Sequence, residues 1–310
     1  MFTGMPEGGA IPDASDRGRD EAAASGERAA AALGGTRFAD VRWSAATGST
    51  NADALALGRD GAPEGIVVVS DHQSAGRGRR DRTWVAPPRG SLLVSVLLRP
   101  PARVAGAASL AAAVAMVDAV ERIAGVTPGI KWPNDLVIAT ADGDRKLAGL
   151  LAEADWPAGS TISGGYRAPA AHDRAVVVVG VGLNVSWPVM ADDPGDGDAA
   201  IEPALAEVAG LATALNWLGA EVDRVDVLVA FLRGLEDRYA GLVSDGPDAL
   251  LAAWRERSAT LGRRVRVDLG TDEVEGTAVD VTGDGHLVVE TPDGDRRTLA
   301  VGDVVHLRPG

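Results

Sequence analysis

Large apolar residues are almost absent from the first 35 positions, then arrive in short blocks split by Gly, Pro and Asp. The opening stretch is rich in Ala, Gly, Asp, Glu and Ser, and such a composition buries too little surface to order itself. It predicts a disordered tail over residues 1–36, with a transient helix at 22–33. A first strand follows at 38–43. Thr47-Gly-Ser-Thr-Asn51 then precedes an Ala/Leu run at 52–58, which reads as a helix with hydroxyls at its start and Gly58 as its C-cap. The valine-rich run 65–70 and the Leu/Val-rich run 91–99 read as buried strands.

Residues 102–124 are Ala-rich and apolar on most faces, which predicts a helix under a sheet, ended by Gly125. Next come a strand and turn around Trp132-Pro133-Asn134-Asp135, then a strand over 146–153. Residues 155–174 read as an irregular surface excursion. The run 176–185 is a fully buried strand whose glycines leave room for a ligand or a second backbone. An acidic Pro/Gly loop at 187–200 precedes helices at 202–218, 224–243 and 247–258. From Leu261 onward the pattern turns to short alternating runs split by Thr282-Gly-Asp-Gly285 and Asp293-Gly294. These predict a small all-β barrel, of a size that leans on a neighbour for stability.

Composition narrows the classes. Forty-six per cent of residues are hydrophobic, enough for a core, and cysteine is absent, which excludes disulfides and thiolate metal sites. A net charge of −14 disfavours nucleic acid as the main partner. The uncharged part of the 102–124 helix is short for a bilayer, and the first residues carry no signal-peptide pattern, so the expected setting is the cytoplasm, with no membrane.

The acidic chain nevertheless holds a cationic island. Between the strands at 65–70 and 91–99 lies Asp71-His-Gln-Ser-Ala-Gly-Arg-Gly-Arg-Arg-Asp-Arg-Thr-Trp84, with four arginines and two glycines. Glycine lets backbone N–H groups approach a ligand, arginine offers a fork of donors, and tryptophan can cover a ring. Arg-Gly runs also occur in solvated nucleic-acid-binding tails, but those are repetitive and lie outside folded strands. The Ser49-Thr50-Asn51 turn is either a simple helix cap or a polar grip on a small ligand. Lys131 with Asn134 and Asp135 is either a tight hairpin or a phosphate and Mg2+ site. Lys146 is either an edge residue or points into a pocket. The four histidines show no metal-ligand spacing.

Taken together and in this order, Ser49-Thr50-Asn51, Gln73 with Gly76-Arg-Gly-Arg-Arg80 and Trp84, Lys131-Trp-Pro-Asn-Asp135, Lys146-Leu-Ala-Gly149 and Gly180-Val-Gly-Leu-Asn184 resemble the biotin protein ligases. The resemblance runs from about Trp43 to Gly310. It implies an α+β fold, a class II synthetase-like mixed sheet with flanking helices at 37–258 and an SH3-like barrel at 259–310. It implies a biotin–[biotin carboxyl-carrier protein] ligase that joins biotin and ATP into biotinyl-5′-AMP, with Mg2+, and transfers biotin to a lysine of a carrier domain of an acyl-CoA or pyruvate carboxylase.

By that resemblance Lys146 and Arg79 are catalytic. Ser49, Thr50, Asn51, Gln73, Arg77, Gly78, Gly149 and Gly182 join them around biotin. Gly76, Arg80, Trp84, Lys131, Asn134 and Asn184 hold ATP and the adenylate, and Asn134 with Asp135 hold Mg2+. The family often has glycine where Asp81 stands. Some members carry an N-terminal helix–turn–helix, of which this tail shows no pattern, so no DNA partner is expected, and the chain is expected as a monomer or weak homodimer. The rivals are a lipoate-protein ligase and a non-catalytic biotin-sensing protein.

Overall fold

The computed structural model describes residues 16–155, 173–188, 208, 210–270 and 272–307. Almost all of the expected excursion at 155–174 and of the acidic loop at 187–200 lies outside these residues, as does the start of the expected helix at 202–218. Its described remainder includes a bridge from Ala212 to Lys146 and a 3-10 turn, Asn216–Leu218.

A seven-stranded mixed sheet organises the chain, in the order β1-β2-β3-β7-β6-β5-β4. Its strands are β1 (Val41–Ser44), β2 (Val67–Ser70), β3 (Ser91–Leu98), β4 (Gly129–Lys131), β5 (Asp135–Thr140), β6 (Gly143–Asp155) and β7 (Val176–Asn184). Only β1 and β2 run parallel; the other neighbours are antiparallel. Side chains alternate across the sheet. Leu92, Val94 and Val96 of β3 and Val177, Val179 and Val181 of β7 therefore share one face, in the main core. That face packs on α3 (Ala108–Ala124), which follows a 3-10 turn at Ala102–Ala107, and on α4 (Arg224–Asp245). Residues 102–124 are long and apolar enough to cross a membrane, yet most of the stretch is buried inside the protein, so it is a core helix. Gly125, at φ 65°, ends it as a left-handed cap. Asp118 of α3 receives Arg257 Nε at 2.9 Å and Arg238 of α4, fixing α4 and the end of α5 (Asp248–Glu256) to the same helix.

On the opposite face α2 (Thr50–Arg59) covers a smaller cluster of Ala54, Ile66, Val68, Leu97 and Val178. The rest of this face stays open and forms the site. Gly58 does not cap α2. It lies within the helix, where a Cβ would come within 2.5 Å of Val176 Cγ1, so the glycine permits close packing on the sheet.

Residues 16–35 correct the expected tail. They form α1 (Asp16–Ala32) and a following turn, and Gly18, Ala22, Gly26 and Ala29 make a buried stripe. A Cβ on Gly26 would stand 3.1 Å from Trp43 Cβ. The helix is held by close approach of small residues and by an ion pair from Arg28 to Asp223 at 2.5 Å, neither of which raises hydropathy. Residues 1–15 lie outside the described part.

The C-terminal strands β8 (Arg264–Asp268), β9 (Glu273–Val281), β10 (Leu287–Glu290), β11 (Arg296–Leu299) and β12 (Asp303–His306) form one five-stranded antiparallel sheet in the order β11-β10-β9-β8-β12. The sheet is open and does not close into the expected barrel. It leans on the large sheet as expected: Trp132 donates through Nε1 to Gly285 O at 2.9 Å and through its backbone N–H to Thr260 Oγ1 at 3.0 Å.

Candidate active site

A cavity of about 570 Å³ opens on the free face of the large sheet. A β-bulge builds its cationic wall. Asp135 pairs with Gly149 and Leu136 with Ala148, but Val137 pairs with Lys146, so Leu147 is the extra residue. With unbroken alternation Lys146 and Gly149 would point to opposite faces. The bulge shifts the parity and brings Lys146, Gly149 and Asp135 to one side. There Lys146 Nζ meets Asp135 Oδ1 at 2.7 Å and lies 5.3 Å from the centre of the Trp84 ring.

Gly149 pairs with Gly182 across β6 and β7, leaving a floor without side chains. Trp84 lies on it: a Cβ on Gly149 would come within 2.8 Å of the indole and one on Gly182 within 2.5 Å. The indole N–H is buried without a hydrogen-bond partner.

The other end of the cavity is a polar chain. Gln73 Oε1 accepts from the backbone N–H of Thr50 at 2.8 Å and from its hydroxyl at 3.0 Å. Ser95 Oγ lies 2.7 Å from Thr50 Oγ1 and donates to Asn51 Oδ1 at 2.6 Å. Asn51 Nδ2 donates to Leu151 O at 3.1 Å and Glu153 Oε2 at 2.8 Å. Ser49, Thr50 and Asn51 are all buried. Ser49 precedes α2 in extended conformation and makes no side-chain cap hydrogen bond, which leaves its hydroxyl for the cavity.

The Arg-Gly loop covers this bed and is pinned at both shoulders. Arg77 Nη2 meets Glu153 Oε2 at 2.9 Å. Arg80 donates to Asp268 O at 2.9 Å and reaches Asp303 Oδ2 at 3.4 Å, and Arg82 also pairs with Asp303. Arg79 is the loop arginine without an ion pair among the described residues; it touches Gly302 O at 3.3 Å and lines the cavity. Burial, with Arg80 and Arg82 nearby, holds its pKa below the ordinary value, partly offset by Asp135. Its guanidinium stays charged, so the loop aims one cation inward that no ion pair among the described residues holds. Arg80 and Asp81 adopt φ of 53° and 58°, the left-handed region that favours glycine.

Fifteen of the seventeen residues singled out from the sequence line this one cavity: Ser49, Thr50, Asn51, Gln73, Arg77, Gly78, Arg79, Trp84, Lys131, Asn134, Asp135, Lys146, Gly149, Gly182 and Asn184. Gly76 and Arg80 line the cleft on the outer side of the loop. Asn184 is buried and spends Nδ2 on Thr213 O at 2.9 Å and Lys146 O at 3.4 Å, so its amide fastens a neighbouring segment to the strand.

The donor set does not fit a metal held by protein alone. Asn134 Nδ2 donates to Leu150 O at 2.7 Å, and the Asp135 carboxylate is balanced by Lys146. No group of three or more His, Asp or Glu suited to a metal occurs among the described residues. The sequence reading missed Ser95 and Glu153, which orient Asn51, and Asp303, Val304 and Val305, which bring the C-terminal sheet to the cavity. Ser95 had a signal, as the single polar residue inside Leu92–Leu98. The others had none short of the fold.

Residues 44–161 match the Biotin/lipoate A/B protein ligase family, and residues 260–307 match the Biotin protein ligase C terminal domain. The chain is 39% identical over 273 residues to the "Biotin--[acetyl-CoA-carboxylase] ligase" of Mycobacterium tuberculosis, covering 85% of this chain and 88% of that protein. It is 32% identical to the protein of the same name from Paracoccus denitrificans, covering 84% of this chain and 98% of that one. Its fold is similar to that of a biotin protein ligase from Aquifex aeolicus in complex with biotin and ATP, with a TM-score of 0.65 at 22% identity, over 88% of this chain and 100% of that one.

Proposed function

The chain belongs to the biotin protein ligase family, and from that premise we propose that it activates biotin with ATP as biotinyl-5′-AMP and transfers the biotinyl group to a lysine of a biotin carboxyl carrier domain. The observation that carries the reading is the convergence of Lys146, inward-facing Arg79 and the unpartnered indole N–H of Trp84 on a cavity whose far end is the Thr50–Gln73 polar chain.

The first step brings a carboxylate against a polyphosphate, and like charges repel. Lys146 and Arg79 offset that repulsion as fixed cations in a partly dehydrated site. The carboxylate oxygen attacks the α-phosphorus, pyrophosphate departs, and the mixed anhydride remains. Asp135 holds Lys146 in place beforehand, and a phosphate oxygen takes over that partner as the charge arrives. Gln73 accepts from Thr50 through Oε1, which turns its Nε2 donor toward the ring end of biotin. Trp84 covers the ligand over Gly149 and Gly182 and excludes water from the anhydride. In the second step a neutral carrier lysine attacks the acyl carbon, an amide forms and AMP leaves. No protein side chain has to form a covalent bond.

The test is ATP–pyrophosphate exchange with biotin or lipoate as the acid, followed by transfer of labelled biotin to a carrier domain. Exchange and transfer with biotin alone are expected. Exchange with lipoate alone would move the chain to the lipoate branch. Tight biotin binding without exchange would make it a sensor.

A further inference from the structure

Glu153 projects from β6 at the place where the polar end of the cavity meets the Arg-Gly loop. One of its oxygens, Oε2, takes two donors at once: Asn51 Nδ2 at 2.8 Å and Arg77 Nη2 at 2.9 Å. The two donors come from different parts of the site. Asn51 is a buried residue in the first turn of α2, and Arg77 belongs to the loop that covers the cavity.

A carboxylate only accepts, so Glu153 decides which way the Asn51 amide faces. Its NH2 must turn to Glu153 and Leu151 O, and its Oδ1 must turn to Ser95 and the cavity. A Cβ on Gly180 would lie 2.0 Å from Asn51 Oδ1, so the glycine is what makes room for the amide in this orientation. Both amide protons are spent on the protein, and one lone pair of Oδ1 remains for a ligand N–H. The same oxygen of Glu153 ties Arg77, and through it the start of the loop, to β6.

We propose that Glu153 is a positioning residue that links recognition of the acid's polar ring end to closure of the Arg-Gly loop. It presents the Asn51 carbonyl as an acceptor for a ureido N–H, and it holds Arg77 so that the loop closes over a ligand already seated. The inference rests on the biotin-activating reading of the site.

Glu153→Ala removes both functions, whereas Glu153→Gln keeps an acceptor for Asn51 but loses the ion pair to Arg77. For Glu153→Ala the expected result is a biotin KM raised about tenfold, in line with the loss of a charge-assisted hydrogen bond. Its KM for ATP should be unchanged, its kcat at saturating biotin should change little, and release of biotinyl-5′-AMP should be faster. Glu153→Gln should recover the biotin KM and keep the fast release. Arg77→Ala, which leaves β6 untouched, should also release biotinyl-5′-AMP faster, and if Glu153→Ala does not fold, unchanged release from Arg77→Ala overturns the link to the loop. An unchanged biotin KM in Glu153→Ala, or equal rises for biotin and ATP with a lowered melting temperature, would overturn the proposal and leave Glu153 a structural ion pair. Wild-type protein that makes no biotinyl-5′-AMP at all would instead overturn the reading of the site.

Discussion

Lys146 and Asp135 stand 2.7 Å apart on neighbouring antiparallel strands, on one face only because Leu147 bulges between them. The pair is about a third exposed, so as a surface ion pair it adds little to stability. Its consequence is positional: Lys146 is held beside Trp84 and above the glycine floor before any substrate arrives.

Lys146→Ala is expected to lower biotin-dependent pyrophosphate exchange by about two to three orders of magnitude, the range found when one preorganised charge is removed from a developing anion. The melting temperature should move by no more than a few degrees, because the side chain adds little to the core. Exchange at the normal rate would remove Lys146 from the chemistry.

Gly180 and Gly182 lie two residues apart on the same face of β7 and should respond differently to alanine. A Cβ on Gly182 meets the Trp84 ring at 2.5 Å, at the far end of a side chain that can shift on its own. A Cβ on Gly180 meets Asn51 Oδ1 at 2.0 Å, within a buried hydrogen-bonded chain that cannot. Gly182→Ala should therefore weaken biotin binding about tenfold while leaving the melting temperature near wild type. Gly180→Ala should cost about 1–3 kcal/mol, the range for overpacking a filled site. Thermal melts and biotin titrations on the two variants check the contrast.

Asp81 occupies the left-handed region at φ 58°, where a side chain is a steric cost and glycine is not. Asp81→Gly should relieve that cost and remove a negative charge from the loop. The lifetime of bound biotinyl-5′-AMP should then be equal or longer, measured by release into a trap. Asp81→Val, β-branched and poorly suited to this backbone, should shorten it. Equal shortening by both substitutions would show that the carboxylate itself matters.

Much of this site was legible in the chain because its parts are local. Ser49-Thr50-Asn51, the Arg-Gly loop and Lys146 to Gly149 each sit on one turn or strand, and buried strands announce themselves as apolar runs. What stayed hidden depends on contacts between distant segments. α1 is held by Gly18, Ala22, Gly26 and Ala29 against β1 rather than by large apolar residues, so its composition resembles a disordered tail. The bulge at Leu147 leaves no mark in the pattern, although it decides which face Lys146 takes. The grip of Asp303 on Arg80 and Arg82 joins residues more than 220 positions apart. Asp81 had no meaning as an aspartate in a loop until its backbone angle was known.

His306 joins the two sheets and should make that junction sensitive to acid. Its Nδ1 lies 2.7 Å from Asp144 Oδ2, and its Nε2 lies 3.2 Å from Thr260 Oγ1, which accepts the backbone N–H of Trp132. A neutral ring with the proton on Nδ1 donates to Asp144 and accepts the Thr260 hydroxyl at Nε2, while Arg263 Nη1, 3.0 Å from Nδ1, donates to Asp144 Oδ2 at 3.1 Å instead. Burial lowers the pKa of His306 below its ordinary 6.5; the Asp144 carboxylate opposes the shift, while Lys131 and Arg263 add to it. The folded protein thus binds this proton less readily than the unfolded chain, and stability present above pH 6.5 is lost as pH falls below it. Asp223 and Asp280, whose pKa values are lowered from 3.8, lose their contributions only at still lower pH. Thermal unfolding measured from pH 7 down to about pH 5 should therefore show a fall in wild type that is flatter in His306→Gln, where no ring takes up a proton. Equal slopes in the two proteins would show that His306 titrates alike in the folded and unfolded chains.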